Sequence, residues 1–167
     1  IMSGMSITHS RRMRVAFCDP YMQVGQMALI RKRDVARFAA PERLYYGGAR
    51  VGFQSNTTGE KFVRENLSVA TPQGFSSIDV GVDALRDGQI DYFIHDAPTV
   101  WRLSTDPANT WLLGLYRPLT EEYLAWAVRK NDHALRERLN QSLARWKQDG
   151  RLGAVFGQWI KVSIEIK

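Results

Sequence analysis

A few residues of this 167-residue chain have the types and placement to hold a small charged molecule. Arg11 offers a planar guanidinium fork that fits a carboxylate with two parallel hydrogen bonds. Thr57 and Thr58 stand where a turn gives way to a helical pattern, and the N–H groups and dipole of such a helix end also favour an anion. Asp96 follows a strand pattern, where open α/β sheets gather ligand contacts, and its carboxylate could hold an ammonium group. Gly4 would let a ligand approach the backbone closely, and the Ser6 hydroxyl can donate or accept. Each residue also has a plainer reading. Arg11 is one basic residue among several, Thr57 and Thr58 make ordinary N-caps, and Asp96 before Ala97-Pro98 suits a turn or a cap. His95 by itself suits a satisfied structural histidine.

Catalytic patterns are thin. The chain holds no Gly-x-Ser-x-Gly elbow, phosphate-binding Walker loop or His-Glu-x-x-His, and His9, His95 and His133 lie far apart. One cysteine, Cys18, excludes an intrachain disulfide framework and a multi-cysteine zinc site. No cofactor or metal is expected, and nothing announces an enzyme. No apolar run approaches the roughly 18 residues that span a bilayer. The opening residues show neither a charged n-region nor a long apolar run, so no signal peptide is read there. An apolar start without Met at position 1 reads as a cut through a strand, which leads us to expect a fragment or mature segment.

The net charge of +6 is unevenly spread. Residues 1–50 carry nine Lys/Arg against three Asp/Glu, residues 51–125 carry five against ten, and residues 126–167 carry nine against four. Basic ends bracketing an acidic middle do not make the single basic face of a nucleic-acid binder, so no nucleic-acid partner is expected. The same bracketing pairs the two ends and sets the middle apart as a unit of its own.

The elements that must position these residues read as α/β. Arg50–Gln54 is a short strand, followed by a helix over Glu60–Asn66 that Thr57 or Thr58 caps. Ser76-Ser77 caps a second helix with Ile78, Val82 and Leu85 on one face and a stop at Asp87-Gly88. Ile90–Ile94 closes a strand–helix–strand pattern typical of a parallel sheet. Gly25–Arg31 is an extended apolar stretch, and residues 31–43 read as charged and turn-like. Trp111–Leu115 and Tyr123–Val128 are strand candidates. A long helix from Asn131 or Asp132 carries Leu135, Leu139, Leu143 and Trp146 at helical spacing and ends at Asp149-Gly150. A last helix carries Leu152, Val155, Phe156 and Trp159, and Val162–Ile166 alternates like a strand. Trp126, Trp146 and Trp159 are expected in the core, while Trp101 and Trp111 fit either setting.

Several of these segments, in this order, resemble the bacterial family 3 solute-binding proteins, the periplasmic amino-acid receptors of ABC importers. Ser3-Gly4-Met5-Ser6-Ile7-Thr8 with Arg11 resembles the family's small-Gly-hydrophobic-Ser/Thr-hydrophobic-Thr stretch and following Arg. Phe17-Cys18-Asp19-Pro20-Tyr21 resembles its next segment, with Cys18 where the family often has Ser. The likeness continues through Arg50–Gly59, Ile90–Asp96 and Trp146–Trp159. It implies an α/β periplasmic-binding-protein fold of two lobes joined by two crossover strands. Residues 1–27 would finish the first lobe, 28–125 form the second, and 126–167 return to the first. The opening strands and helices of the first lobe, which supply an aromatic wall and an acidic ligand contact in the family, would be absent.

The resemblance also implies roles. Arg11, Ser6 and Thr58 would take the carboxylate of an α-amino acid, and Asp96, Gly4 and Ser6 its ammonium. Gln54 and His95 would face the ligand side chain, which points to a polar L-amino acid, and Ser3 and Thr57 would line the pocket. The position of Thr58 is often Gly or Thr, so its backbone matters more than its hydroxyl. The implied partner is the membrane permease of an ABC importer, the implied location the periplasm, and the uncovered helical face would favour a dimer of the fragment. Two other readings share the fold. One is a cyclohexadienyl dehydratase-like enzyme, with Glu121, Glu122 or His95 as general acid. The other is a ligand-sensing domain of a larger signalling or cell-wall protein.

Overall fold

A computed structural model describes residues 1–115 and 117–160. The chain divides into two compact units, 25–120 and a second made of 1–24 with 121–167. Both boundaries fall a few residues before the expected ones at 27/28 and 125/126.

The continuous unit is built on a five-stranded sheet. Its strands are β3 (Gln26–Arg31), β4 (Arg50–Gln54), β5 (Thr71–Phe75), β6 (Tyr92–Asp96) and β7 (Leu112–Gly114), in the order β5-β4-β6-β3-β7. β4 runs parallel to β5 and β6, while β3 runs antiparallel to β6 and β7, so the sheet is mixed rather than purely parallel. Helices α4 (Thr58–Asn66), α5 (Ile78–Arg86) and α6 (Ala97–Thr105) pack on it. Cover on both faces explains why β3 is buried at every position instead of alternating. One face holds Ala28, Ile30, Val51, Phe53, Tyr92 and Ile94 against Phe62 and Val63 of α4. On the other, Gly52 and Gly81 leave room for the Phe93 ring, which a Cβ at either position would strike.

Three readings of this unit change. Thr71–Phe75 is a strand although Pro72 and Gly74 mask it, because β5 is an edge strand and proline's missing N–H is tolerated there. Ala97–Thr105 is a full helix, with proline in its first turn, where no intrahelical N–H bond is lost. Residues 31–43 are not merely turn-like, since they include a 3₁₀ turn at Lys32–Asp34 and helices α2 (Val35–Phe38) and α3, which starts at Glu42 and ends at Tyr46.

At one end of this sheet Asp91 is buried among arginines. Its carboxylate accepts from the Arg50 backbone N–H at 2.8 Å, from Arg50 Nη2 at 3.0 Å and from Arg37 Nη1 at 3.0 Å. Arg31, buried at the end of β3, donates to the Ile90 carbonyl at 2.9 Å and to Asp34. Burial pushes the Asp91 carboxyl up, but the Arg50 and Arg37 hydrogen bonds and charge outweigh it and hold its pKa at about 2.

Among the described residues, the second unit is made of two short antiparallel ribbons and three helices. β1 (Val15–Phe17) pairs with β9 (Ala127–Arg129), and β2 (Met22–Val24) with β8 (Glu122–Leu124). The expected single strand 123–128 is thus split at Ala125-Trp126, and each half takes its own partner. A short helix α1 (His9–Arg12) precedes β1, and α7 (His133–Gln148) packs on β9 and on α8 (Arg151–Trp159). Asp132 caps α7 through Leu135 N–H, and Gly150 between the helices has φ 79°, a left-handed turn that glycine takes without strain. Tyr21, Trp126, Trp146 and Phe156 form an aromatic cluster, and Leu143 of α7 and Leu152 of α8 are buried. Trp159, expected in the core, is instead 75% exposed. The strand candidate Val162–Ile166 lies outside the described residues.

Candidate functional site

Five of the predicted residues, Gln54, Thr57, Thr58, His95 and Asp96, come together in the continuous unit. They gather at the carboxyl ends of the parallel strands β4 and β6, the end of the sheet opposite the Asp91 cluster. Hydrogen bonds connect them in an unbroken series. The Thr57 hydroxyl donates to the Gln54 carbonyl at 2.7 Å and accepts from Glu60 N–H at 3.3 Å, so Thr57 is the N-cap of α4. Gln54 Oε1 lies 3.2 Å from His95 Nε2. His95 Nδ1 in turn accepts the Asp96 backbone N–H at 2.8 Å, which leaves the ring proton on Nε2, as donor to Gln54.

Asp96 occupies the N-cap position of α6, yet its side chain does not cap that helix. Its Oδ1 accepts instead from Gln26 Nε2 at 2.6 Å, and the same nitrogen donates to Thr58 Oγ1 at 3.0 Å. Gln26 is wholly buried at the start of β3, where its register partner is Asp96. A Cβ on Gly59 would come within 3.0 Å of Gln26 Oε1 and 3.2 Å of the Ile94 carbonyl, so a glycine lets α4 sit this close to the strands. Gln26 escaped the sequence reading. Its signal is the lone amide inside the apolar run Gly25–Ile30, because a polar group buried in such a strand requires partners.

Burial pushes the His95 imidazole pKa down, against the nearby Asp96 carboxylate and with help from Arg102, so the ring is neutral at pH 7. With both nitrogens hydrogen-bonded, the orientation of the ring is fixed.

The other four predicted residues, Ser3, Gly4, Ser6 and Arg11, lie in the second unit. Thr8 caps the short α1, and Arg11 Nη1 donates to the Ser6 carbonyl at 2.9 Å, which anchors the guanidinium. Ser6 is buried and bridges to Leu124. The Ser3 carbonyl accepts from the Tyr21 hydroxyl at 3.1 Å. Gly4 is exposed, and a Cβ there would meet only Leu124 Cδ1 at 3.9 Å, so packing does not demand a glycine. Of the acids considered for catalysis, Glu121 is exposed and accepts from the Tyr123 hydroxyl at 2.6 Å, and Glu122 is half-buried on β8. Among the described residues no group of three or more His, Cys, Asp or Glu could hold a metal ion, and no helix is long and apolar enough to cross a membrane.

Residues 1–162 match the bacterial extracellular solute-binding proteins, family 3. The chain belongs to that family. It is 30% identical, over 96% of its length, to the ABC transporter glutamine-binding protein GlnH of Bacillus subtilis, of which it covers 57%. It is 29% identical, over 95% of its length, to the ABC transporter arginine-binding protein 1 of Escherichia coli, of which it covers 65%. The chain thus spans less than two thirds of the length of these curated relatives. Among solved structures, the ancestral amino acid-binding protein that is a precursor of cyclohexadienyl dehydratase superposes with a TM-score of 0.85 at 30% identity. That match covers 95% of this chain and 67% of the other. The fold is accordingly that of the family, α/β with two lobes.

Proposed function

We propose that this chain holds an L-α-amino acid with a polar side chain, as part of a receptor that hands its ligand to the permease of an ABC importer in the periplasm. Such a ligand presents a carboxylate and an ammonium a fixed distance apart, so its receptor needs a cation or anion-favouring helix end and a separate carboxylate. Arg11, Ser6 and the start of α4 at Thr58 take the carboxylate. Asp96, with Ser6 and the open backbone at Gly4, takes the ammonium. Ser3 and Thr57 line the same site. Gln54 and His95 meet the ligand side chain. The His95 proton occupies Gln54 Oε1, so the Gln54 amide N–H₂ is the group offered to that side chain, which favours an acceptor such as a carbonyl.

The observation that carries this reading is the placement of an anion-favouring helix end and a carboxylate on one buried glutamine at the carboxyl edge of the sheet. Support comes also from the family and from relatives named for glutamine and arginine binding. The test is a thermal-shift panel of L-amino acids, sugars and divalent metals on the full chain. One or a few polar L-amino acids should raise the midpoint with the logarithmic concentration dependence of mass action. A shift with sugars or metals alone would remove the amino-acid reading. Turnover of prephenate or arogenate would replace it with the dehydratase-like one, for which His95, with both nitrogens engaged, is poorly set up as a general acid.

A further inference from the structure

We infer that Gln26 is the positioning residue of this site: it orients the Thr58 hydroxyl and the Asp96 carboxylate, and it ties them to the points where the chain passes between its two units. The ligand half of this inference rests on the amino-acid reading. A primary amide nitrogen has two hydrogens at a fixed angle, and Gln26 Nε2 directs them to Thr58 Oγ1 at 3.0 Å and Asp96 Oδ1 at 2.6 Å. Thr58, made an acceptor toward Gln26, keeps its own hydroxyl hydrogen for an anion. Asp96 is held as an acceptor turned away from the cap of α6, ready for a cation. One side chain therefore orients both groups that a zwitterion requires, the Thr58 hydroxyl as donor for its carboxylate and the Asp96 carboxylate as acceptor for its ammonium.

The Gln26 backbone is tied down equally. Its N–H donates to Thr120 Oγ1 at 2.8 Å, and its carbonyl accepts from Leu119 N–H at 2.7 Å. The Gly25 carbonyl accepts from Ala97 N–H at 2.9 Å, the first residue of α6 after Asp96. A Cβ on Gly25 would strike the Thr120 carbonyl, so glycine is needed for this approach. The chain passes between its units at 24/25 and 120/121. Both passages are thus bonded to the residue that orients Thr58 and Asp96.

Two measurements on the full chain test this. In the first, without ligand, the Gln26 side-chain amide should give a slowly exchanging NMR pair that shifts in both Thr58→Val and Asp96→Asn. A pair indifferent to both variants overturns the inference. In the second, calorimetry compares L-glutamine and L-arginine with their des-amino acids. Gln26→Leu, which keeps the volume and removes the amide, should lower the preference for the amino form at least tenfold, as should Asp96→Asn. Gly59→Ala, which keeps every polar group and crowds Gln26 Oε1, should lower it in the same direction by less. Equal losses for both forms, or an unchanged preference in a folded variant, would mean that Gln26 is structural only. If the wild-type chain binds neither amino acid while the amide pair responds to both variants, the ligand reading fails and the positioning role stands.

Discussion

Arg11 and Asp96 illustrate how far one side chain determines its own role. Arg11 spends one N–H on the Ser6 carbonyl, which orients the guanidinium while other N–H groups remain for a carboxylate. Truncation to alanine should therefore cost roughly 2–5 kcal/mol of binding, about 30-fold to several-thousand-fold in affinity. Asp96→Asn should lose a similar amount through the ammonium. Calorimetric affinities for the best ligand within threefold of wild type in both variants would remove these residues from the site. His95 adds a pH dependence. Its pKa is depressed in the folded state, so its contribution to stability is present above the ordinary histidine value of 6.5 and is lost as pH falls through the folded value. Protonation at Nδ1 breaks the bond from Asp96 N–H, because that nitrogen can no longer accept, while Nε2–H can still donate to Gln54.

At the level of elements, the sheet of the continuous unit is stapled at one end and carries the proposed ligand residues at the other. Arg31 closes β3, Arg50 opens β4 and Asp91 immediately precedes β6, so one carboxylate secures three neighbouring strands. Its pKa falls from 3.8 to about 2 on folding. The sign is that of a depressed acid: the stabilisation is complete above about pH 4 and is lost as pH falls toward 2, on the order of 2 kcal/mol. Asp91→Asn should lower stability at pH 7 by roughly that amount, since the hydrogen bonds from Arg37 and Arg50 lose their charged acceptor. Urea titrations of wild type and variant should converge near pH 2. A gap that persists unchanged to pH 2 would show that the carboxylate's charge is not the source.

For the molecule as a whole, the two units differ in how completely they bury themselves. The continuous unit has a sheet covered on both faces, with Leu29, Ile30, Val51, Phe53 and Tyr92 fully buried. The other relies on two-stranded ribbons, and its helices leave Leu135 41%, Val155 45% and Trp159 75% exposed. Native-state hydrogen exchange should therefore be slowest in β3, β4 and β6 and much faster across α7 and α8. The exposed apolar residues should also promote association as concentration rises, visible by sedimentation. Uniformly slow exchange through 133–159 in a monomer would contradict both expectations.

Local rules sufficed for much of this protein. The helix after Thr57, the helix after Ser77 and the break at Asp149-Gly150 follow from caps, periodicity and a left-handed glycine, all of which act within a few residues. The family, too, was legible, because its motifs are contiguous. What a residue's neighbours in space contribute was not legible. β5 exists only because an edge tolerates Pro72, and the antiparallel insertion of β3 depends on pairing with strands more than 60 residues away. Gln26 and Asp96 meet across that pairing, and no spacing rule connects them. The hydrogen bond that draws the Asp96 carboxylate away from capping α6 is therefore a tertiary fact: a buried amide must find partners, and only the fold decides which ones.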